Sequence, residues 1–202
     1  MAQTPSTTDT RSRLTELMRP PMRTDARRNY EALLSAANEI FSVRGPDAPL
    51  DEIARRAGVG NATLYRHFPT RRELLVAVCI EDVEELCALG ERLQRQPSAD
   101  GALTRWLRAY IKHVSSKHGL AAAFATGRRE DSEFVTACHD AIYAVGSSLL
   151  ERAQRDDEIR RDVNVVELIT LVNAIAIATE SQGVKEANRL LGLVFDGISP
   201  SR

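Results

Sequence analysis

The sequence lacks long uninterrupted apolar segments. No run reaches the roughly 18 to 20 uncharged residues that a membrane-spanning helix requires, and the first residues, MAQTPSTTDTRSR, have no apolar core like that of a secretory signal. With 43% hydrophobic and 27% charged residues, the 202-residue chain can still bury a substantial core. We therefore expect a globular protein that stays in the cytoplasm and does not associate with a membrane.

Cysteine is also scarce. Cys79, Cys87 and Cys138 lie in apolar, helix-like segments, without a CxxC pair and without a histidine at metal-binding spacing. We interpret them as small core residues, with metal ligands or redox sensors as the alternative. No metal site is predicted.

The groups that catalysis requires are missing as well. The sequence has no Ser or Cys nucleophile near a His with an orienting acid, no paired carboxylates in an apolar segment and no Gly-rich phosphate loop. We therefore expect neither an enzyme nor a bound cofactor, although an enzyme on a helical scaffold is the rival hypothesis.

A strong net charge is absent, since 27 basic residues nearly balance 28 acidic ones. This balance argues against a protein that coats nucleic acid by charge alone. The charge is nevertheless uneven, with nine arginines and six acids between Arg23 and Arg72 but 15 basic and 20 acidic residues from Glu73 onward. A nucleic-acid contact, if present, is therefore expected near the N-terminal end.

The chain begins with a polar segment and continues as a series of helices. Residues 1–22 are rich in Thr, Ser, Pro and Arg without helical periodicity, which predicts a flexible arm; entry of its arginines into a DNA groove is the alternative. From Thr24 onward, apolar residues recur at helical spacing, and no convincing strand pattern is present. The predicted fold class is therefore all-α.

Glycines, prolines and one capping motif divide the helices. Gly45 with Pro46, Gly58 and Pro69 predict the ends of three N-terminal helices, and TRRE from Thr70 predicts a capping box that opens a long fourth helix. Further helices are expected after Pro97, from about 132, over 163–178 and at the C terminus, with a short alanine-rich stretch at 120–126.

The segment LDEIARRAGVGNATLYRHF, residues 50–68, carries the most information. Two short helices joined by a Gly-containing break form the layout of a DNA-binding helix-turn-helix. Ala54 is small where the helices cross, and Gly58 can adopt the positive φ needed to leave the first helix. We therefore predict a DNA-binding domain over 23–69 and a second helical domain over 70–202.

The second of these helices is predicted to present outward side chains that can hydrogen-bond base edges or phosphates, or allow close approach to DNA. These residues are Asn61, Ala62, Thr63, Tyr65, Arg66 and His67. For Arg55 and Arg56, on the first helix, a solvated face is favoured over DNA contact.

The last two helices have more apolar surface than one small domain can cover. Nearly every position from Val163 to Ala178 is apolar, and the final helix has one continuous apolar face. We predict a homodimer held by a four-helix bundle about a two-fold axis, with burial inside one protomer as the alternative. The predicted interface residues are Leu168, Leu171, Val172, Ile175, Leu190, Leu191, Val194 and Phe195.

Two segments resemble a known family. The run AGVGNATLYRHFPTRRELL, with the upstream AANEIFSVRG, resembles the DNA-binding domain of tetracycline-repressor-like (TetR-type) regulators over about residues 24–78. The segment ALTRWLRAYIKHVSSKHGLAAA is similar to the SbtR-like branch of that family. The resemblance implies nine or so helices, a C-terminal inducer cavity and dimer contacts through the last two helices.

The resemblance also implies roles for individual residues. Asn61, Ala62, Thr63, Arg66 and His67 fall where family members meet bases and nearby phosphates, and Tyr65 falls where a hydroxyl holds a phosphate. Arg71, together with Arg27 or Arg28, falls where the flanking DNA backbone is clamped. Departures at Gly60 and at the Asn61-Ala62 pair leave the operator sequence unpredictable.

The second domain is predicted to sense a small molecule. Large or polar residues on otherwise apolar faces are the candidate lining of its cavity: Trp106, Tyr110, His113, Phe124, Cys138, Tyr143 and Asn173. For each of them, an ordinary place in the core or at an interface is the favoured alternative. The resulting hypothesis is a regulator, most simply a repressor, that an unknown effector releases from a palindromic double-stranded operator. An architectural DNA binder without a ligand is the alternative.

Overall fold

The computed structural model describes residues 23–96, 101–116 and 129–200. These residues form eight helices, α1 Thr24–Arg44, α2 Leu50–Arg56, α3 Asn61–His67, α4 Arg71–Gln94, α5 Ala102–Ser116, α6 Arg129–Arg155, α7 Val165–Ala178 and α8 Val184–Ile198, and no strand. The predicted all-α class is therefore confirmed. The arm at 1–22 and the stretch at 120–126, which includes Phe124, lie outside the described residues.

The first three helices form a small bundle that matches the predicted helix-turn-helix. The core is made by apolar residues from each helix: Ala37, Phe41, Ile53, Ala54 and Leu64 are at most 1% exposed. Ala54 contributes little volume where α2 lies against its neighbours, so α1, α2 and α3 can pack closely.

The turn between α2 and α3 depends on one glycine. Gly58 has φ +71°, a left-handed conformation that strains other residues. The Gly58 amide donates to the Arg55 carbonyl (3.2 Å) and the Val59 amide donates to the Ala54 carbonyl (3.0 Å). This pair of hydrogen bonds is a Schellman motif, which satisfies the last carbonyls of α2 and sets the direction in which α3 begins.

The long helix α4 joins the two parts of the molecule and is fastened at both ends. At its start the predicted capping box is present, because the Thr70 hydroxyl accepts from the Glu73 amide and the Glu73 carboxylate accepts from the Thr70 amide. At its end the Arg152 guanidinium, from α6, donates to the carbonyls of Leu93, Gln94 and Gln96. These bonds satisfy backbone oxygens that the end of a helix leaves without partners.

The C-terminal helices pack around α5. Helix α5 contacts α4, α6, α7 and α8, and its Trp106 is fully buried. The indole reaches two glycines on neighbouring helices: a Cβ atom on Gly90 would lie 3.2 Å from Nε1, and one on Gly146 would lie 3.2 Å from the ring edge. The absence of side chains at these positions allows α4 and α6 to close on the ring. Within the described residues, no helix combines the length and apolar character needed to cross a bilayer.

Candidate nucleic-acid interface and adjoining groove

Helix α3 presents a polar face to solvent. Its inward residue, Leu64, is fully buried, whereas Asn61, Ala62, Tyr65 and Arg66 are exposed. The Tyr65 side chain is 52% exposed although it is aromatic, so its ring and hydroxyl are available to a partner. The structure thus brings most of the predicted recognition residues onto one accessible surface, with Thr63 half-buried at its margin.

His67 lies differently from the rest of α3. Its ring packs edge-on against Tyr30 of α1, with 6.1 Å between ring centroids, and its Nε2 atom is buried with no hydrogen-bond partner among the described residues. Burial, aided by the neighbouring Arg66 charge, lowers the pKa of His67 below its usual value. These contacts make His67 part of the packing that fixes α3 on α1, and its predicted DNA contact stays a prediction.

Arg71 is engaged with the protein itself. Its Nη1 atom donates to the carbonyl oxygens of Pro46 (2.9 Å) and Ala48 (2.5 Å) in the loop between α1 and α2. This contact ties the start of α4 to the N-terminal bundle. A phosphate contact by Arg71 therefore has to use its remaining guanidinium N–H groups.

The arginines outside α3 differ in their surroundings. Arg27 and Arg28 are exposed near the start of α1, and Arg27 pairs with Glu31 at 2.8 Å. Arg56 pairs with Glu39 at 2.7 Å, which agrees with the favoured solvated role for this residue. Exposed pairs of this kind contribute little to stability, so Arg27 can exchange its partner for a phosphate at small cost.

The predicted dimer interface needs a correction at three positions. Leu168, Val172 and Leu191 are at most 1% exposed within one protomer, so they have no surface left for a partner. Of the remaining predicted residues, Leu171 is 47% exposed, while Ile175, Leu190, Val194 and Phe195 are partly buried. Exposed apolar residues that the prediction omitted lie on the same two helices: Val166, Ile177, Val184 and Leu193.

The predicted sensor residues form packed contacts among helices. The Tyr110 hydroxyl hydrogen-bonds the Asn173 side-chain oxygen at 2.9 Å, and its ring stacks on that of Trp106 at a centroid distance of 5.9 Å. Burial raises the pKa of Tyr110 to about 12, with the Asn173 bond opposing the shift and Tyr143 adding to it. Trp106 is closely packed between helices, and its predicted role as a residue that lines a cavity stays a prediction.

The cysteines lie in the packed interior. Cys87 and Cys138 are buried and Cys79 is half-buried, all as free thiols. Burial raises the pKa of Cys138 to about 12, and Cys79 and Cys87 add to the shift. A thiol of this kind stays protonated and poorly reactive at neutral pH. No group of residues that could hold a metal ion occurs in the part of the chain that the structure describes.

A groove of about 780 Å³ runs between the two parts of the molecule. Its walls come from the middle of α1 (Ser35, Asn38), from α4 (Glu81, Glu85) and from the end of α5 (Lys112, His113). Of the predicted sensor residues that the structure describes, His113 is among those that line this groove. The α1 and α4 walls were not predicted from the sequence, because no single helix pattern reveals where three distant segments meet.

Two family models match the chain. The model described as "Bacterial regulatory proteins, tetR family" matches residues 33–78, which contain α2, α3 and the start of α4. The model described as "Transcriptional regulator SbtR-like, C-terminal domain" matches residues 98–200, about half of the chain. The two matches leave residues 79–97, which contain most of α4, between them.

Solved structures with the same architecture extend over almost the whole chain. A TetR transcriptional regulator from Streptomyces coelicolor is 33% identical with a TM-score of 0.73, covering 85% of this chain and 99% of its own. A TetR transcription regulatory protein from Mycobacterium vanbaalenii is 30% identical with a TM-score of 0.70, covering 89% of this chain and 100% of its own.

The curated relatives TtgW and FasR match over a short part of the chain. The regulator TtgW from Pseudomonas putida is 44% identical over 55 residues, and the transcriptional activator FasR from Mycolicibacterium smegmatis is 49% identical over 55 residues. The matched segment is 27% of this chain in both cases, and it covers 41% of TtgW and 25% of FasR. The likeness to these two proteins therefore concerns about a quarter of this chain and less than half of either relative.

Proposed function

Because the chain belongs to the tetR family of bacterial regulatory proteins, with a C-terminal domain of the SbtR-like type, we propose that it is a dimeric, ligand-responsive repressor of transcription. In this proposal α3 enters the major groove of a palindromic operator, and the C-terminal helices hold two protomers together. A small molecule then lowers the affinity for the operator.

The exposed polar face of α3 is the observation that carries the proposal. Leu64 anchors the helix, so Asn61, Tyr65 and Arg66 project from a rigid support. Arginine and asparagine can each make bidentate contacts with base edges, and a tyrosine hydroxyl can hold a phosphate. An exposed apolar or acidic face on this helix would not support DNA recognition.

The repressor role is the most specific part of the proposal. The relative FasR is named an activator, so the likeness to relatives of this kind does not decide the direction of regulation. Repression follows if the operator overlaps the start of the regulated gene and bound protein blocks polymerase. Effector binding then acts by moving the two α3 helices away from the spacing of about 34 Å that one DNA turn requires.

The test is binding of the purified, full-length protein to fragments of the DNA upstream of its own gene, by mobility shift over a series of salt concentrations. We expect selective binding that weakens steeply with salt, as phosphate contacts require. Arg66→Ala should weaken operator binding by about 10- to 100-fold, the range for loss of a base contact. Tyr65→Phe should weaken it less, since only one hydroxyl is lost.

Arg155→Ala is the matched control, because Arg155 is an exposed arginine on α6, far along the chain from α3. It should leave the affinity unchanged. Equal losses for Arg66→Ala and Arg155→Ala would indicate non-specific charge attraction and would contradict recognition by α3. Sequence-independent binding by the wild-type protein would contradict the regulator itself.

A further inference from the structure

The last turn of α3 carries two of the exposed residues of the DNA-reading surface. Tyr65 and Arg66 follow the buried Leu64 and directly precede His67 and Phe68. Leu64 anchors the middle of the helix, about 4.5 Å before His67 at the rise of an α-helix. An anchor in the middle of so short a helix gives little control over its tilt. The positions of Tyr65 and Arg66 therefore depend on what holds the C-terminal end of α3.

That end rests on an aromatic cluster, which consists of Tyr30 from α1 together with His67 and Phe68. The Tyr30 ring stacks on the Phe68 ring at a centroid distance of 5.0 Å and meets the His67 ring edge-on at 6.1 Å. The Phe68 amide donates to the Leu64 carbonyl at 2.8 Å, so Phe68 is joined to the last turn of α3 and moves with it. The Tyr30 ring is therefore the surface against which the end of α3 lies.

Tyr30 is itself fixed within the N-terminal bundle. Its side chain is 6% exposed, and the next turn of α1 is anchored by Leu33 and Leu34, which are at most 2% exposed. Burial, together with the charges of Glu81 and Glu84 on α4, raises the pKa of Tyr30 to about 12. The phenol therefore stays neutral at physiological pH and acts as a rigid, uncharged support.

We infer that Tyr30 is a positioning residue for DNA recognition. Its ring sets the orientation of the last turn of α3, and thereby the positions from which Tyr65 and Arg66 meet the operator. Tyr30 is too deeply buried to touch the DNA itself, so it acts only through the helix that it supports. This inference rests on the proposed function, because it concerns the same DNA-reading surface.

Base contacts and phosphate contacts tolerate a misplaced helix to different degrees. Hydrogen bonds to base edges need side chains within about 0.5 Å of their productive positions, whereas the attraction between arginine and phosphate falls gradually with distance. Loss of the Tyr30 ring should therefore weaken binding to the operator more than binding to unrelated DNA. A partly unfolded variant loses both affinities in the same proportion. The ratio of the two affinities thus separates positioning from a loss of folded protein.

The test measures this ratio for the full-length protein by fluorescence anisotropy. One DNA is the duplex that the wild-type protein selects from a random pool, and the other is a scrambled duplex of the same length and composition. Tyr30→Leu removes the ring but keeps an apolar side chain. It should weaken binding to the selected duplex by about 10- to 100-fold, because both half-sites of a dimer are affected. Binding to the scrambled duplex should change by less than about threefold, with an unchanged salt dependence.

Two further variants distinguish the Tyr30 ring from general packing of the bundle. Tyr30→Phe keeps the ring and should bind the selected duplex within about twofold of the wild type. Phe41→Leu is the matched control, because Phe41 is a buried aromatic residue of the same helix, 1% exposed, that lies outside the aromatic cluster. It should keep the wild-type ratio of affinities even if it lowers stability.

Phe68→Leu tests the same contact from the side of α3. It should lower the ratio of affinities by itself, so it carries the test if Tyr30→Leu folds poorly. Because both changes break one ring contact, their effects should not be independent. The double variant Tyr30→Leu with Phe68→Leu should lose less selectivity than the product of the two single losses.

Several results overturn the inference. An unchanged ratio in Tyr30→Leu and Phe68→Leu does so while the proposed regulator stands, and so does a double variant whose loss equals the product of the single losses. Equal losses of selectivity in Tyr30→Leu and Phe41→Leu, or in Tyr30→Leu and Tyr30→Phe, also overturn it, because the ring contact is then not the cause. If the wild-type protein selects no sequence from the pool, the proposed function fails and this inference fails with it.

Discussion

Neighbouring polar residues in one motif have different roles. Arg66 and His67 are adjacent on α3, yet Arg66 is exposed whereas His67 packs against Tyr30. Arg71 follows four residues later and hydrogen-bonds the loop at 46–48. All three side chains are of types that can contact DNA, so their separate positions assign Arg66 to the exposed surface and the other two to its support.

Arg71→Ala should destabilise the protein. The substitution leaves the carbonyls of Pro46 and Ala48 without their charged donor, in a part-buried setting. We expect the free energy of unfolding to fall by about 1 to 3 kcal/mol, the range for loss of hydrogen bonds to a charged group. Urea unfolding measures the change. Arg66→Ala is the control and should alter it by less than about 0.5 kcal/mol, since Arg66 is exposed; equal effects would contradict the structural role of Arg71.

His67 should make the folded state sensitive to acid. Burial holds the pKa of folded His67 below its usual value of 6.5, so the unfolded chain takes up this proton first as the pH falls. Stability that is present above about pH 6.5 is therefore lost below it. Between pH 7.5 and 5.5, the Tm of His67→Gln should fall less than that of the wild type.

The control for this pH effect is His139→Gln, which removes an exposed histidine on α6. Its Tm should fall with pH as steeply as that of the wild type. If both variants flatten the pH profile to the same extent, or neither does, the burial of His67 is not the cause of the acid sensitivity.

At the scale of elements, α4 connects the DNA-reading bundle to the C-terminal helices. Its start is fixed by the capping box of Thr70 and by Arg71, and its end by Arg152. Near its C-terminal end it packs on α6 at Gly90, where a Cβ atom would lie 2.1 Å from Cγ1 of Val145. Helix α4 is thus fixed at both ends, and a displacement of the helix has to involve these contacts.

Gly90→Ala should push α4 away from α6. The added methyl group overlaps Val145 and touches the Trp106 indole, so we expect a loss of about 1 to 3 kcal/mol in the free energy of unfolding, typical of overpacking. The double variant Gly90→Ala with Val145→Ala restores room for the methyl group. Denaturant unfolding of the four proteins gives a double-mutant cycle, and the double variant should be more stable than the sum of the single losses. Strict additivity would show that the two positions are not in contact.

At the scale of the whole molecule, α7 and α8 leave an apolar surface exposed in one protomer. Leu171, Ile177 and Leu193 are between 47% and 60% exposed, whereas Leu168 and Val172 on the same helix as Leu171 are buried. Large exposed apolar residues grouped on two adjoining helices are typical of an interface between subunits. We therefore place the predicted homodimer contact on these outward residues.

Ile177→Glu should dissociate the dimer. A two-fold contact places the new carboxylate in the interface twice, where burial of each charge is unfavourable. We expect the dimer Kd to rise at least about 100-fold, measured by analytical ultracentrifugation. Val43→Glu is the control, because Val43 is 83% exposed on α1. A dimer that survives Ile177→Glu, or that Val43→Glu weakens equally, would contradict this placement.

The sequence by itself determined the helices, the helix-turn-helix and the family, because these depend on local signals. The positive φ at Gly58, the capping box from Thr70 and the helical spacing of apolar residues all act within a few residues of chain. The outward positions of Asn61, Tyr65 and Arg66 follow from the same periodicity, since Leu64 defines the buried side of α3.

Only the tertiary structure decided which apolar and polar surfaces face each other. Helix α7 is apolar on nearly all sides, so its periodicity could not separate the buried Leu168 and Val172 from the exposed Ile177. Trp106 could line a cavity or fill the core, and its position between Gly90 and Gly146 depends on helices far apart in the chain. The groove likewise exists because α1, α4 and α5 meet there, and such a meeting is a property of packing that no local pattern encodes.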